Sequence, residues 1–358
     1  MSLCIGLMSG TSADGMDACL TEITASGIRL IDAVCVEYSQ DVSQFFRALA
    51  VSDALSAELV MDADRLIAQY SCQAVDQLLK KTGHTPDQIT LIGSHGHTLR
   101  HRPQPDGFSW QIGDPSWIAE RTGITCIADF RRRDIAAGGE GAPLVPAFHR
   151  FALGVKPGTA VLNIGGIANL TFLDEPLLGY DTGPGNALMD EWCQRITGET
   201  CDLGGDYARS GSLIPELLDS LLAHPYFAET APKSTGREMF NLDTAGDLSA
   251  YPVEDVAHTL TEFSARSICD EVLKYARPVN ELLVCGGGLN NLWLIERVSA
   301  LLPGVQVRST ADVGIDPEWM EAMAFAWLGW RTLNRQAGNA CEVTGAKGDR
   351  VLGGIYYA

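Results

Sequence analysis

Residues 4–20 read as an apolar strand, a turn crowded with small residues, and a second mostly apolar strand. The turn holds Gly10, Gly15 and the hydroxyls of Ser9, Thr11 and Ser12. Glycine lets a backbone approach a ligand closely. Successive exposed N–H groups in such a turn form a concave anion site. Asp14 and Asp17 add carboxylates that suit a metal ion, directly or through water. Two readings of the stretch stand side by side: a nucleotide-phosphate turn with Mg2+, or an ordinary hairpin whose glycines serve only the turn. The second half of the chain starts in the same manner. Residues 159–172 are again strand, small-residue turn and strand, with Gly165 and Gly166 where Ser9 and Gly10 stood. A supersecondary unit that recurs in both halves predicts duplicated domains with a cleft between them. Chance likeness of two glycine-rich turns is the competing explanation.

At 358 residues the chain is long enough for two domains. No apolar run approaches the roughly 20 residues that span a bilayer. The N-terminus enters a strand directly, so no signal peptide is expected. The ten cysteines are scattered, without C-x-x-C or zinc-like spacing. Reduced, mostly buried thiols and a cytoplasmic location are the expectation. The formal net charge of −19 repels polyanions, which argues against nucleic acid or an acidic membrane surface as partner. It also constrains the phosphate reading. An anionic nucleotide must be held by local amides, Mg2+ and a few placed cations.

Residues 28–38 read as a third strand, followed by helices over about 41–60 and 61–82. The second helix places Ala63, Ile67, Tyr70, Ala74 and Leu78 on one face, with Gly83 as its stop. Residues 89–93 form a short buried strand that ends at 94–102, a segment with His95, His97 and His101. Three readings fit that segment: metal ligands, a solvated basic turn, or a polar loop at a strand's carboxyl end, where α/β proteins bind ligands. In the last reading its His, Thr and Arg groups hydrogen-bond a polyhydroxyl or carboxylate substrate. Further strands are expected over 108–113 and 124–130. Residues 131–143, three arginines and then a glycine run, read as a mobile cationic loop and as the first domain boundary.

In the second half, Asp181 ends a short strand ahead of Gly-Pro-Gly and a helix start, a position suited to base chemistry or to capping. Residues 204–207 add a carboxylate in a loop, and 233–241 read as an insertion. A long amphipathic helix covers about 253–277. It leads to 281–291, where Gly286, Gly287 and Gly288 join a strand to a helix start. This is not the dinucleotide G-x-G-x-x-G, and no G-x-x-x-x-G-K-[ST] occurs. Asp316 and Pro317 predict the N-cap and first position of a last helix. Glu318 and Glu321 follow, then an apolar run over 323–330 that reads as core.

Three glycine sites in this order resemble the sugar kinase, actin and heat-shock ATPase superfamily. More closely, the chain resembles the anhydro-N-acetylmuramic acid kinase family over nearly its whole length. The likeness rests on residues 6–15, 94–98, 128–134, 163–169, 180–186, 285–288 and 321–326. The family pattern carries Leu at 13, Gln at 97 and commonly Ala at 185, where this chain has Ala13, His97 and Gly185. The resemblance implies an α/β fold of two RNase H-like domains, each a mixed sheet flanked by helices, with an interdomain cleft. Residues 1–130 plus about 335–358 would form the first and 131–334 the second, with insertions. It implies a kinase that hydrolyses the 1,6-anhydro bridge of 1,6-anhydro-N-acetylmuramic acid and moves the γ-phosphoryl of ATP to the freed 6-oxygen. The products are N-acetylmuramic acid 6-phosphate and ADP, in cell-wall recycling.

By the same resemblance Asp181 is the catalytic base and Glu321 a second, assisting carboxylate. Gly10, Thr11, Ser12, Ala13, Asp14, Gly15, Met16 and Asp17 lie at the triphosphate, with Asp14 as a ligand for Mg2+. Gly165, Gly166, Asn169, Gly286, Gly287 and Gly288 face nucleotide. His95, Thr98, Arg131 and Asp134 are sugar-side residues. A small anhydro amino sugar is the expected partner, and a homodimer is what the family suggests. Three other functions compete at this stage: a kinase of another sugar without bridge hydrolysis, an ATPase module of the actin or chaperone type, and a metal-dependent hydrolase built on the His95 cluster.

Overall fold

The computed structural model describes residues 1–358 except 53, 103–105 and 238. Residue 53 of the expected helix 41–60 and residue 238 of the expected insertion thus lie outside the described residues. The chain divides into two compact units, Met1–Gly154 with Trp319–Ala358, and Val155–Glu318.

In the first unit, β1 (Ser2–Ser9) and β2 (Gly15–Thr24) pair antiparallel from Ser2↔Ile23 to Met8↔Asp17. β3 (Gly27–Glu37) extends the meander. β4 (Leu91–Arg102) then runs parallel to β1, and β6 (Cys126–Ala128) parallel to β4. β5 (Phe108–Ile112) folds back on β4. A parallel neighbour needs a crossover, and the helix Ala57–Thr82 provides the one from β3 to β4. Ser56 caps its start, Gly83 its end in the left-handed region, and Ala63, Ile67, Ala74 and Leu78 form its buried stripe.

The sheet's two faces carry different helices. Ile5, Leu7 and Ile92 join the core beneath the helix Ala57–Thr82. Side chains alternate along a strand, so Gly6 and Gly93, partners across β1 and β4, face the other way. A Cβ on Gly6 would collide with the Ala322 carbonyl, and one on Gly93 with the Phe325 carbonyl. Two paired glycines thus clear a trough in which the backbone of the helix Met320–Leu333 lies.

The second unit repeats this order. β7 (Thr159–Ile164), β8 (Ile167–Phe172) and β9 (Leu178–Pro184) form an antiparallel meander. β10 (Glu281–Cys285) and β11 (Gln306–Ser309) continue the sheet in parallel on the β7 side. The order β9-β8-β7-β10-β11 therefore matches β3-β2-β1-β4-β6 of the first sheet, which β12 (Gly354–Tyr356) closes at its edge. The helix Val253–Lys274 presents Val256, Leu260, Phe263, Ile268 and Val272 to this second core.

Several local expectations change. Residues 94–102 continue β4 as a strand and are not a loop. Residues 130–136 form the helix Phe130–Ala136 where a mobile loop was expected. This helix belongs to the first unit because Asp134, fully buried, accepts hydrogen bonds from Asn339 Nδ2 at 2.7 Å and Thr344 Oγ1 at 2.8 Å. The last helix starts at Met320 rather than at Pro317. Asp316 accepts from the Glu318 N–H, and the Pro317 carbonyl accepts from the Gly286 N–H, so 316–318 is tied to the second unit. Among the described residues no helix is long and apolar enough to cross a membrane.

Candidate active site

The β1–β2 turn exposes only part of the stretch expected at the triphosphate. The Ala13 N–H closes the turn on the Gly10 carbonyl at 3.0 Å. Ala13 itself is buried in the left-handed region, φ 55°. Gly15 has no room for a Cβ beside the Cys35 sulfur and the Val36 carbonyl. Met16 is core. Gly10, Thr11, Ser12 and Asp14 remain at the surface, and Asp17 is half-buried. Arg47 clamps the turn from outside, donating to the Ser12 carbonyl at 2.9 Å and to Asp14 Oδ1 at 3.2 Å. It places a cation at a donor-rich turn in an acidic chain.

Beside this turn lies a cluster that links β1, β4 and two helices. β4 bulges: Leu7 pairs with Ser94 but Ser9 pairs with His97, which leaves one extra residue at Gly96, φ 72°. A bulge breaks the alternation of faces. His95 therefore packs on Phe325 at 4.5 Å, while His97 packs on Phe46 at 5.0 Å. The two rings diverge, so the H-x-H spacing does not build a metal pair. Among the described residues no group of three or more His, Cys, Asp or Glu is placed to hold a metal ion.

His95 Nδ1 donates to the Gly96 carbonyl at 3.1 Å, leaving Nε2 to accept from Arg131 Nε and Nη2 at 3.2 and 3.0 Å. Burial, and then the Arg131 charge, holds its pKa well below the usual value, so the ring is neutral. Arg131 also donates to the Gly141 carbonyl, and Asp134 accepts from the Gly141 N–H. With the two donors already named, the Asp134 carboxylate is satisfied from within its own unit and serves as scaffold. Thr98 accepts from Gln111 across β5 at 3.1 Å. His97 Nδ1 lies 3.0 Å from Ser9 Oγ, which accepts from the Tyr38 hydroxyl at 2.9 Å. Ser9 can then give its own proton to His97, and burial holds that imidazole's pKa down at about 4.

Glu321 stands in the first turn of the helix Met320–Leu333, half-buried. Burial pushes its pKa up, Arg131 opposes the shift, and Asp17 reinforces it. Such a carboxyl keeps its proton nearer neutrality than a surface glutamate does.

In the second unit, Asp181 lies within β9, where another bulge intervenes. Ala168 pairs with Gly183 and Asn169 with Asp181, which leaves Thr182 as the extra residue. Asp181 is 9% exposed. Its Oδ2 accepts from the Thr235 N–H at 3.0 Å. Its carbonyl accepts from the Tyr226 hydroxyl at 2.6 Å, and its own N–H donates to the Lys233 carbonyl at 3.3 Å. Across the ladder, Asn169 Oδ1 is buried without a hydrogen-bond partner among the described residues, as is the hydroxyl of Ser234, the residue before Thr235. Buried polar groups are normally paired, so these orphans mark a place where a polar ligand would complete the bonding.

The glycines of this unit divide by what a side chain would meet. On Gly286 a Cβ would strike Asn163 Oδ1 and the Ile164 carbonyl, and on Gly288 the Ile164 side chain. Those two exist so that the turn can pack on β7. Gly287 has nothing within 4 Å, and Gly165 has only ordinary contact with the Ile167 carbonyl. A Cβ on Gly166 would meet the end of the Arg237 side chain at 3.1 Å, and the Gly166 carbonyl accepts from the N–H groups of Gly185 and Ala187 at the start of the helix Ala187–Thr197.

The sequence matches the family described as anhydro-N-acetylmuramic acid kinase over residues 2–358. The chain belongs to this family. Curated relatives carrying that name include proteins from Thiobacillus denitrificans, 48% identical over 99% of this chain and 97% of the relative, and Xanthomonas oryzae pv. oryzae, 47% identical with the same coverage. A relative from Hahella chejuensis is 45% identical over 99% of this chain and 98% of its own length.

Sequence reasoning missed the residues that hold the family's expected base. Lys233, Thr235 and Tyr226 all contact Asp181, and Glu271 anchors Lys233 at 2.9 Å. One signal was available: Glu271 falls between Ile268 and Val272 on the apolar face of a helix, where a carboxylate needs a buried partner. Arg47 and Tyr38 at the first turn were likewise unforeseen, since both contacts cross long stretches of sequence.

Proposed function

We propose that this chain uses ATP to convert 1,6-anhydro-N-acetylmuramic acid into N-acetylmuramic acid 6-phosphate and ADP. The match to the family over residues 2–358 carries this reading. Its counterpart in the molecule is Asp181, a carboxylate held by a backbone donor at a strand bulge, opposite Asn169, whose side-chain oxygen has no partner among the described residues.

Asp181 takes a proton from water as the water oxygen bonds to the anomeric carbon, in the manner of inverting glycoside hydrolysis. The anomeric C–O6 bond breaks, and O6 bonds to the γ-phosphorus of ATP as the bond to the ADP oxygen breaks. The phosphoryl group thus takes the place of a leaving-group acid. Asp181 then releases its proton to solvent. Glu321, whose pKa burial raises, supplies a second carboxyl that holds its proton more readily than a surface glutamate does. Gly10, Thr11 and Ser12 offer backbone and hydroxyl donors to the triphosphate, and Gly165 and Gly287 offer close approach to nucleotide. Mg2+ suits the hard oxygen donors here, because it commonly takes one or two carboxylates alongside substrate phosphates. Asp14 and Asp17 are the carboxylates at this turn, and Asp14 shares its charge with Arg47. When bound, Mg2+ neutralises charge on the transferring phosphoryl. We place this chemistry in the cytoplasm and expect no role for nucleic acid or membrane in it; a homodimer is a further proposal from the family.

An ATP-consumption assay across anhydrosugars and ordinary hexoses tests the reading. Turnover with 1,6-anhydro-N-acetylmuramic acid and little with hexoses is the expected result. Equal or better turnover with a hexose would replace this function with that of an ordinary sugar kinase.

A further inference from the structure

Behind Asp181 the second unit buries an ion pair that the chemistry above does not use. Lys233 Nζ lies 2.9 Å from Glu271 Oε1, their side chains only 1% and 3% exposed. Lys233 Nζ also donates to the Tyr226 carbonyl at 3.2 Å and sits 4.2 Å from the centre of the Tyr226 ring. Tyr180, the residue before Asp181, donates from its hydroxyl to the Glu271 carbonyl at 3.0 Å. Lys274 is a second cation on Glu271 Oε1, at 3.0 Å, while Glu271 Oε2 is buried without a hydrogen-bond partner among the described residues.

Lys233 and Tyr226 both bond to the backbone of Asp181, and Glu271 reaches it through Lys233. The Lys233 carbonyl receives the Asp181 N–H, the Tyr226 hydroxyl binds the Asp181 carbonyl, and Thr235, two residues after Lys233, binds the carboxylate. We propose that the Lys233–Glu271 ion pair is a positioning device for Asp181: it pins residues 233–235 against β9 so that the Thr235 N–H fixes the carboxylate's direction. Desolvating two charges is costly, and a buried pair is often no more stabilising than apolar residues of the same volume. Burial pulls the Lys233 pKa down while Glu271 opposes that pull. The proposal rests on Asp181 being the base, and its test separates the two.

The experiment is a double-mutant cycle on the full chain. Lys233→Met is expected to lower kcat by up to about 10²-fold, the scale of a misplaced catalytic group, with KM for ATP within about twofold. Asp181→Asn is measured alongside. If Lys233 acts through Asp181, adding Lys233→Met to Asp181→Asn costs little further, because residues that act as a unit are non-additive. An undiminished further loss in the double variant means that Lys233 holds up the unit generally, and it overturns the proposal. So does wild-type kcat in Lys233→Met while Asp181→Asn is inactive. Near-wild-type turnover in Asp181→Asn instead overturns the base assignment itself. Should Lys233→Met fail to fold, Glu271→Gln carries the same cycle with the same criteria, since it removes the charge that holds Lys233 and keeps the shape of the side chain.

Discussion

Gly287 and Gly288 are neighbours with opposite reasons for lacking a side chain. A Cβ on Gly288 would collide with Ile164, whereas one on Gly287 would meet open space. Gly288→Ala should therefore cost about 1–3 kcal/mol of stability, the usual range for overpacking. Gly287→Ala should leave stability within about 0.5 kcal/mol and raise KM for ATP several-fold if nucleotide passes there. Thermal melts beside ATP titrations decide both. For Asp181→Asn the expectation is at least about 10²-fold loss in kcat, with ATP binding by calorimetry unchanged. These residues show what a sequence reveals at this scale. The glycines and Asp181 stood out because they interrupt apolar strands. Which glycine is forced by packing depends on Ile164 and Asn163, more than 100 positions away, and no local pattern carries that.

β4 is the element whose form the sequence hid. Its polar residues resemble a loop, yet most of the strand is buried, and the bulge at Gly96 sends His95 and His97 to different partners. Burial holds the His97 and His101 pKa values down at about 4 and lowers that of His149 to about 3. In the unfolded chain a histidine titrates near 6.5. Below that pH the unfolded state takes up protons that the native state refuses, so stability is full above about 6.5 and falls toward pH 4. His97 alone accounts for about 3 kcal/mol over that window. His97→Gln should flatten the acid limb of a denaturation-against-pH curve; an unchanged slope would contradict the buried neutral ring. The helix Met320–Leu333 depends equally on Gly6 and Gly93. Gly6→Ala should push that helix off the sheet and displace Glu321, costing stability and kcat together, whereas Glu321→Gln should lower kcat with the melting temperature kept.

For the whole molecule, the repeated hairpin was the correct guide to a repeated sheet, because glycine turns between apolar strands are a local signal. The unit bounds were not legible at 131 or 335. They follow from long-range bonds, Asp134 to Asn339 and Thr344 in one unit and Gly286 to Pro317 in the other. A chain of net charge −19 must bring in ATP against its own field. If Mg2+ enters with the nucleotide, chelation should abolish turnover, added Mg2+ should restore it, and the melting temperature without ATP should not move. The central claim is that water opens the anhydro bridge as phosphate moves to O6. Mass spectrometry of the product formed in ¹⁸O-water tests it most directly. One ¹⁸O on the anomeric hydroxyl of a 6-phosphorylated sugar is the predicted result; a phosphorylated product with no label at that carbon would contradict it.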